Sequence, residues 1–527
     1  MGLARAHAIA LVGVQGHPVE IEADIENGMV ALLLVGLPDT ALREARDRIR
    51  SAIVNSGETW PTRRITVGLS RASLPKRGSG FDLGIALAIL AASGTLPSAA
   101  LEGLVLLGEL GLDGRIRPVP GVLPAAAAAA AAGFTAVGVC EENAAEAALV
   151  PELRVIAASR LAAFTAWIRN GSSPADPVVR VLEPGRDLSG VFAADVGEVA
   201  AEANRQAIAR DLSDLVGQPV ARRAAEICAA GGHHLMLLGP PGVGKTMLAE
   251  RIPTVLPRLE PAAALEVSAI HSVAGTLPPG QPLVLDPPFC APHHTASRAA
   301  IVGGGSGVIK PGAASLAHHG CLFLDEAPEF GRDVLDGLRQ PLESGEVVVA
   351  RAGVTARFPA RFTLIMAANP CACASARTPG SACSCTPMAR RRYLARLSGP
   401  LLDRVDAKIE FMPVRRTELL SDRAFTEPSA VVAKRVLAAR QRAAARLAGT
   451  PWRLNAQVPG SELRRRFAPV KPALAPLERA MDLGTISARG ADRVIRLSWT
   501  LADLAGLAAP GQAEVGYALG LWMGTPR

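Results

Sequence analysis

The chain has 527 residues, 49% hydrophobic and 20% charged, with a formal net charge of +8 and eight cysteines. That balance excludes a disordered or fibrous polymer and predicts about three packed domains at the usual 100–200 residues each. The opening MGLARAH has no basic segment leading into a long apolar one, so no signal peptide is expected; a cytoplasmic protein with reduced cysteines is.

In residues 1–170, short apolar strands alternate with helices. Residues 30–35 and 65–69 read as strands, 41–55 as an amphipathic helix, a helix starts near Phe81, and an alanine-rich helix covers 125–132. Two uncharged stretches, 83–101 and 118–140, approach membrane-spanning length, but Gly94, Pro97, Pro120, Gly121, Pro124 and Gly133 interrupt them. They read as buried helices, and no membrane association is expected. Residues 74–85 (LPKRGSGFDLGI) and 108–118 (GELGLDGRIRP) resemble the proteolytic domain of Lon proteases, which implies a ribosomal-S5-like α+β fold. A Lon-type enzyme needs a serine nucleophile beside a lysine base. Asp82 stands where the serine would be and Leu123 where the lysine would be, and Lys76 is the only lysine before Lys245. Peptidase chemistry is therefore not expected, Ser79 notwithstanding. Residues 43–77 carry nine basic side chains against three acidic ones, which suits a phosphate backbone, a subunit interface or a solvated helix face.

Residues 171–200 have the Pro/Gly/Ser density of a linker. A nucleotide-binding core is then expected over 201–414. Residues 235–238 read as a buried strand that runs into Gly239, Pro240, Pro241, Gly242, Val243, Gly244, Lys245 and Thr246. Every fixed position of the phosphate-loop pattern G-x-x-x-x-G-K-[ST] is filled. Glycines let backbone N–H groups curl around phosphates, the lysine reaches the β- and γ-phosphates, and the threonine hydroxyl ligates Mg²⁺. Downstream, the apolar run 320–324 ends in Asp325, suited to hold Mg²⁺, and Glu326, suited to orient and deprotonate water. A third strand, 362–368, ends in Asn369, an amide able to hold the same water. Three strand ends meeting at one phosphate predict an open parallel sheet with the ligand at its carboxyl edge.

Between these elements lie PFCAPHHTAS (288–297) and the glycine-rich IVGGGSGVIKPG (301–312). The latter suits a loop facing a central pore, with Lys310 touching an encircled strand, or an ordinary turn. His293 and His294 are adjacent and cannot share one face as ligands; packing, or contact with nucleotide-linked loops, is expected of them. Residues 341–357 read as a hairpin. Directly after Asn369-Pro370 come Cys371, Cys373, Cys383 and Cys385, a C-x-C-x₉-C-x-C array that could hold structural Zn²⁺ or remain reduced thiols. Cys140, Cys228, Cys290 and Cys321 read as core residues.

From about 415 onward the pattern is helical: 428–447, 460–467, 475–483, 487–505 and 512–521. Residues 381–527 carry 24 basic against 12 acidic side chains, a candidate polyanion surface or a set of solvated arginine-rich helix faces.

The whole set of motifs, together with LLDR at 401–404 and ISARGADR at 486–493, resembles the magnesium-chelatase-like AAA+ ATPases of the YifB/ComM family. The resemblance implies a Lon-like domain (1–170), a chelatase-type ATPase core (201–414) and a C-terminal helical lid (415–527). It also implies a homo-oligomeric ring, a hexamer, with ATP between subunits. Arg404 matches an arginine finger, and Arg489 the sensor-2 arginine of the lid, with Arg493 as its nearby alternative. The function implied is an ATP-driven motor on single-stranded or branched DNA, a helicase or branch-migration activity in recombination or natural transformation. The alternative is a chelatase-type or remodelling ATPase acting on a partner protein.

Overall fold

The computed structural model describes residues 2–36, 39–70, 79–170, 179–185, 210–278, 280–305, 309–351, 354–373, 385–414 and 426–524. The linker expected over 171–200 lies largely outside them. Its first element was not foreseen: strands β1 (Gly2–Val12) and β2 (Gln15–Glu26) form a long antiparallel hairpin that turns at Gly13, whose φ is +67°. Val19, Ile21, Ala23 and Ile25 alternate into the core from β2, and Ala4, Ala6, Ala8 and Ala10 from β1.

Strands β3 (Ala31–Val35), β4 (Arg64–Leu69), β5 (Leu104–Leu106), β8 (Ala136–Cys140), β9 (Arg154–Ala158) and β10 (Arg180–Leu182) extend this sheet. Its order is β10-β9-β8-β5-β1-β2-β4-β3, and β6 (Glu109–Leu110) pairs separately with β7 (Ile116–Arg117). The helix Asp82–Ala92 is buried at every residue, as expected of a helix apolar all round. The alanine-rich helix spans Val122–Ala131. Among the described residues, no helix is long and apolar enough to cross a membrane.

The second sheet contains β11 (Leu235–Leu238), β12 (Phe289–Cys290), β15 (Cys321–Leu324), β18 (Thr363–Ala368) and β19 (Ala407–Glu410). Every pairing is parallel, in the order β12-β15-β18-β11-β19. Two small ladders stand apart from it: β13 (Gly303–Gly304) with β14 (Lys310–Pro311), and the predicted hairpin as β16 (Glu346–Arg351) with β17 (Val354–Pro359). The C-terminal helices Ser429–Arg446, Ala475–Asp482, Ala488–Ala505 and Gln512–Met523 share one hydrophobic core with this sheet, in which Leu237, Phe323 and Ile409 join Val494, Leu497 and Leu521. The helix expected over 460–467 stops at Leu463. Arg464, Arg465 and Arg466 beyond it are exposed, and Pro469 prevents continuation.

The N-terminal sheet and the parallel sheet meet at the helix Pro261–Ala274. Its Leu265 and Ala269 pack into the core around the helix Val122–Ala131. Buried Glu146 accepts hydrogen bonds from Ser272 Oγ and, at 2.8 Å, from Leu123 N–H, while Gly121 N–H donates to Ser272 O at 3.1 Å.

At the amino edge of the parallel sheet, a buried polar network ties it to the C-terminal helices. His234 N–H donates to Asp406 Oδ2 at 2.8 Å, and Arg493 also pairs with Asp406. His233 Nε2 lies 2.7 Å from Thr500 Oγ1, and His234 Nδ1 accepts from Leu364 N–H at 3.0 Å. Burial lowers both histidines from 6.5 to about 4. Because the unfolded chain takes up these protons first, their contribution to stability is complete above about pH 6.5 and is lost as the pH falls through about 4. The melting temperature is therefore expected to be level above pH 6.5 and to drop between 6.5 and 4. His234→Asn keeps an acceptor for Leu364 N–H and should flatten that drop. A melting temperature constant down to pH 4 would contradict this account.

Candidate nucleotide site

The site starts where β11 ends. A Cβ on Gly239 would stand 2.7 Å from Phe411 Cβ and 2.8 Å from Phe411 O, so only glycine permits the chain leaving β19 to pass there. Gly242 and Gly244 have φ of +82° and +101°, and a Cβ on Gly242 would meet nothing within 4 Å. The loop thus presents open backbone to the cleft before the helix Lys245–Arg251 begins.

Lys245 Nζ, 7% exposed as a residue, donates to Gly239 O at 2.7 Å, Pro240 O at 2.8 Å and Asn369 Oδ1 at 3.0 Å. Burial lowers its pKa, and the charges of Asp325 and Glu326 oppose that. Thr246 Oγ1 donates to Asp325 Oδ2 at 2.7 Å, and Asp325 Oδ1 accepts from Glu326 N–H at 2.9 Å. Glu326 is held at φ 49°, ψ 44°, a left-handed conformation that costs a non-glycine residue about 1–2 kcal/mol. Such strain is found where surrounding structure fixes a functional side chain. A cleft of about 340 Å³ is lined by the phosphate loop, Asp325, Glu326, Ala368 and Asn369. The ends of β11, β15 and β18 therefore meet at one cavity. Thr246 and Asp325 supply hard oxygen donors beside one another, a set that fits Mg²⁺.

Sequence reasoning missed two neighbours of the loop, Leu215 and Gln218, and left a third, His294, between packing and contact with nucleotide-linked loops. Leu215 Cδ1 would lie 2.7 Å from a Cβ on Gly244, and Gln218 Nε2 donates to Met412 O at 2.7 Å, bracing the segment before the loop. His294 Nδ1 stands 3.4 Å from Glu326 Oε2. All three contacts are long-range, and only the doubled histidine gave any local signal.

Arg404 and Arg489 do not line this cleft. Arg404 leads into β19 at the amino edge of the sheet, with β11, about 13 Å of strand, between that edge and the phosphate loop. It pairs with Glu343 and Pro400 O, and its Nε is buried without a partner. Burial, followed by the charges of Arg493, Arg339 and Arg489, lowers the pKa of its guanidinium. Arg489 is thus grouped with Arg404, on a helix anchored by Arg493 to Asp406. The helix Ala488–Ala505 does not bring Arg489 to the cleft of its own chain.

Cys371 and Cys373 Sγ are 3.1 Å apart, and Cys385 Sγ lies within 4.8 Å of both; Cys383 lies outside the described residues. Cys140, Cys228 and Cys321 are buried as expected, whereas Cys290 is half-buried. A second cluster, Glu266, His318 and His319, has metal-like spacing. However, His318 Nδ1 accepts from Arg361 N–H at 2.9 Å, so Nε2 carries the proton it donates to Glu266 at 3.0 Å. That nitrogen has no lone pair for a metal.

In the N-terminal sheet region, Asp82 is 1% exposed and receives Arg48 Nε at 2.9 Å and Leu110 N–H at 3.4 Å. Burial raises it to about 6 against the pull of Arg48. Ser79 Oγ donates to Glu109, and Leu123 is buried.

A parallel sheet with a phosphate loop at its carboxyl edge, followed by a helical module, defines a P-loop nucleotide-binding protein. The chain matches the family described as magnesium chelatase, subunit ChlI over residues 211–419, the subunit ChlI of Mg-chelatase family over 21–143, and the ChlI C-terminal family over 426–521. It is 48% identical to an uncharacterized protein of Mycobacterium tuberculosis, over 98% of each chain. It is 42% identical to the uncharacterized protein YifB of Salmonella typhimurium, over 96% of this chain and 94% of that one. It is 40% identical to the competence protein ComM of Haemophilus influenzae, over 99% and 97% respectively. The chain belongs to the YifB/ComM family of magnesium-chelatase-like AAA+ ATPases, a family that implies the use of ATP and Mg²⁺.

Proposed function

We propose that the protein is an ATP-hydrolysing ring motor, a hexamer, that acts on single-stranded or branched DNA in the cytoplasm as a helicase or branch-migration enzyme. The observation that carries the ATPase part is the meeting of Lys245, the Thr246–Asp325 pair, Glu326 and Asn369 at one cleft. Lys245 holds the β- and γ-phosphates, Glu326 takes a proton from the attacking water, and Asn369 orients that water. Thr246 and Asp325 would hold Mg²⁺, which when bound would supply charge neutralisation on the phosphates. Arg404 and Arg489 serve the cleft of a neighbouring subunit, as their distance from their own favours. DNA as substrate is supported by the likeness to a competence protein and by the excess of basic residues in 381–527. We divide the chain into 1–170, a linker at 171–200, 201–414 and 415–527. The first part is read as a Lon-like domain without peptidase chemistry, since Asp82 is locked to Arg48 and Leu123 replaces the base.

The test is ATPase rate with and without single-stranded, duplex and forked DNA at about 50 and 200 mM salt, a range over which phosphate contacts weaken steeply. Stimulation that fades with salt, with forked DNA acting best, is the expected result. A robust rate indifferent to every DNA would favour the second reading, a chelatase-type or remodelling ATPase on a partner protein, which the match to magnesium chelatase subunits supports.

The clustered thiols of Cys371, Cys373 and Cys385 support a structural Zn²⁺ site completed by Cys383. Elemental analysis of purified protein should give about one zinc per chain, lost in Cys371→Ser/Cys385→Ser. Zinc-free protein with unaltered stability would remove this site from the account.

A further inference from the structure

We propose that the helix Pro387–Leu394 is a contact surface for the phosphate backbone of a DNA strand, through Arg390, Arg391 and Arg392. This rests on the reading of DNA as the substrate and gives that substrate one point of engagement on the chain. The helix carries three consecutive arginines and no acidic residue. Every residue from Thr386 to Arg392 is exposed, and Tyr393 is the one buried residue of the helix. Among the described residues, Arg391 and Arg392 meet no carboxylate. Arg396, one turn further on, does: it pairs with Glu329 at 2.9 Å.

The helix is anchored at its two ends and not along a face. At its start Pro387 needs no hydrogen-bond acceptor, and Thr386 Oγ1 accepts from Ala389 N–H at 3.2 Å. Cys385, two residues before Pro387, belongs to the thiol cluster with Cys371 and Cys373. At its end Tyr393 is 5% exposed, and the Arg396 guanidinium also donates to Pro328 O at 3.2 Å. Arg391 and Arg392 lie in the last turn, where the helix dipole favours positive charge. The arginines are therefore accommodated without acidic partners, and the solvent side of the helix keeps their full charge. A short helix that buries a single side chain gains little from packing, so its outer surface is left to a partner.

Guanidinium groups on adjacent residues repel one another, and a polyanion brought from outside relieves that repulsion. Each guanidinium fork matches a pair of phosphate oxygens, and a phosphodiester chain offers such groups in series. The helix also stands near the nucleotide cleft. Burial raises the Tyr393 phenol to about 12, and the charges of Glu329 and Glu326 add to that rise. A strand held on this helix thus lies beside the residue read as the general base, which ties DNA contact to hydrolysis.

The experiment is fluorescence anisotropy of a labelled single-stranded oligothymidylate with the full-length protein and a non-hydrolysable ATP analogue, at about 50 to 200 mM salt. Wild type is compared with Arg390→Gln/Arg391→Gln/Arg392→Gln and with the same three positions changed to lysine, each checked by melting temperature and light scattering. Loss of three phosphate contacts should lower the slope of log affinity against log salt by about 2, and affinity at about 100 mM salt about a hundredfold. The lysine variant keeps the charge and should stay within a few-fold of wild type. A glutamine variant that binds with wild-type affinity and slope overturns the proposal. So does a glutamine variant that loses assembly or melts lower, since the arginines then serve a subunit contact or the fold, and so does a lysine variant as weak as the glutamine one. A wild type that binds no DNA instead removes the reading of DNA as substrate, and this surface with it.

Discussion

Lys245→Ala is expected to abolish nucleotide binding and to lower hydrolysis by at least about a hundredfold, the scale on which a single preorganised charge at a transferring phosphoryl group acts. Beyond the phosphate contact proposed for it, the ammonium ties both loop carbonyls to Asn369 on β18. Its removal leaves Gly239 O, Pro240 O and Asn369 Oδ1 without their common donor, a local cost of about 1–3 kcal/mol. The variant should therefore melt a few degrees lower while remaining folded. Glu326→Gln separates the two roles: it should bind nucleotide as the wild type does and fail to hydrolyse it, since the amide cannot take a proton. Fluorescent-nucleotide titration beside an ATPase assay distinguishes them. A Lys245→Ala protein that retained wild-type affinity would remove the cleft from the account of nucleotide binding.

The cleft was legible in the sequence because its chemistry is local. The phosphate loop is one contiguous pattern, and Asp325, Glu326 and Asn369 each follow an apolar run that can only be a buried strand. The β1–β2 hairpin was not legible, because β1 fills its core positions with Ala4, Ala6, Ala8 and Ala10, whose small side chains give a weak alternation. What lay beyond reach was pairing between distant segments. Arg493 and Asp406 join two parts of the chain more than eighty residues apart, and Glu146 meets Ser272 across two sheets. The direction of Arg489 depended on the same information. Its helix is plain from periodicity, but which edge of the sheet the helix docks against is decided by the Arg493–Asp406 pair and the buried histidines beside it.

That placement leads to the second large effect, which is expected of Arg404→Ala. The guanidinium sits in a group of like charges, with Arg493, Arg339 and Arg489 each lowering its pKa after burial does. Glu343 alone among carboxylates pairs with it among the described residues. Such crowding is unfavourable in an isolated chain and would be relieved by an anion brought from outside, which in the proposed ring would be the nucleotide of an adjacent subunit. Arg404→Ala should then lower kcat about a thousandfold with little change in nucleotide affinity, the loss typical of a missing arginine finger. Mixing decides whether it acts in its own chain or the next. Arg404→Ala subunits keep an intact cleft, and Lys245→Ala subunits keep an intact finger, and neither alone hydrolyses ATP. In an equal mixture of freely exchanging subunits, about a quarter of the head-to-tail interfaces would pair an intact cleft with an intact finger. Hydrolysis should therefore reappear on mixing, at a substantial fraction of the wild-type rate. If both proteins exchange subunits and the mixture stays inactive, Arg404 serves its own chain, and the ring arrangement proposed here loses its main physical support.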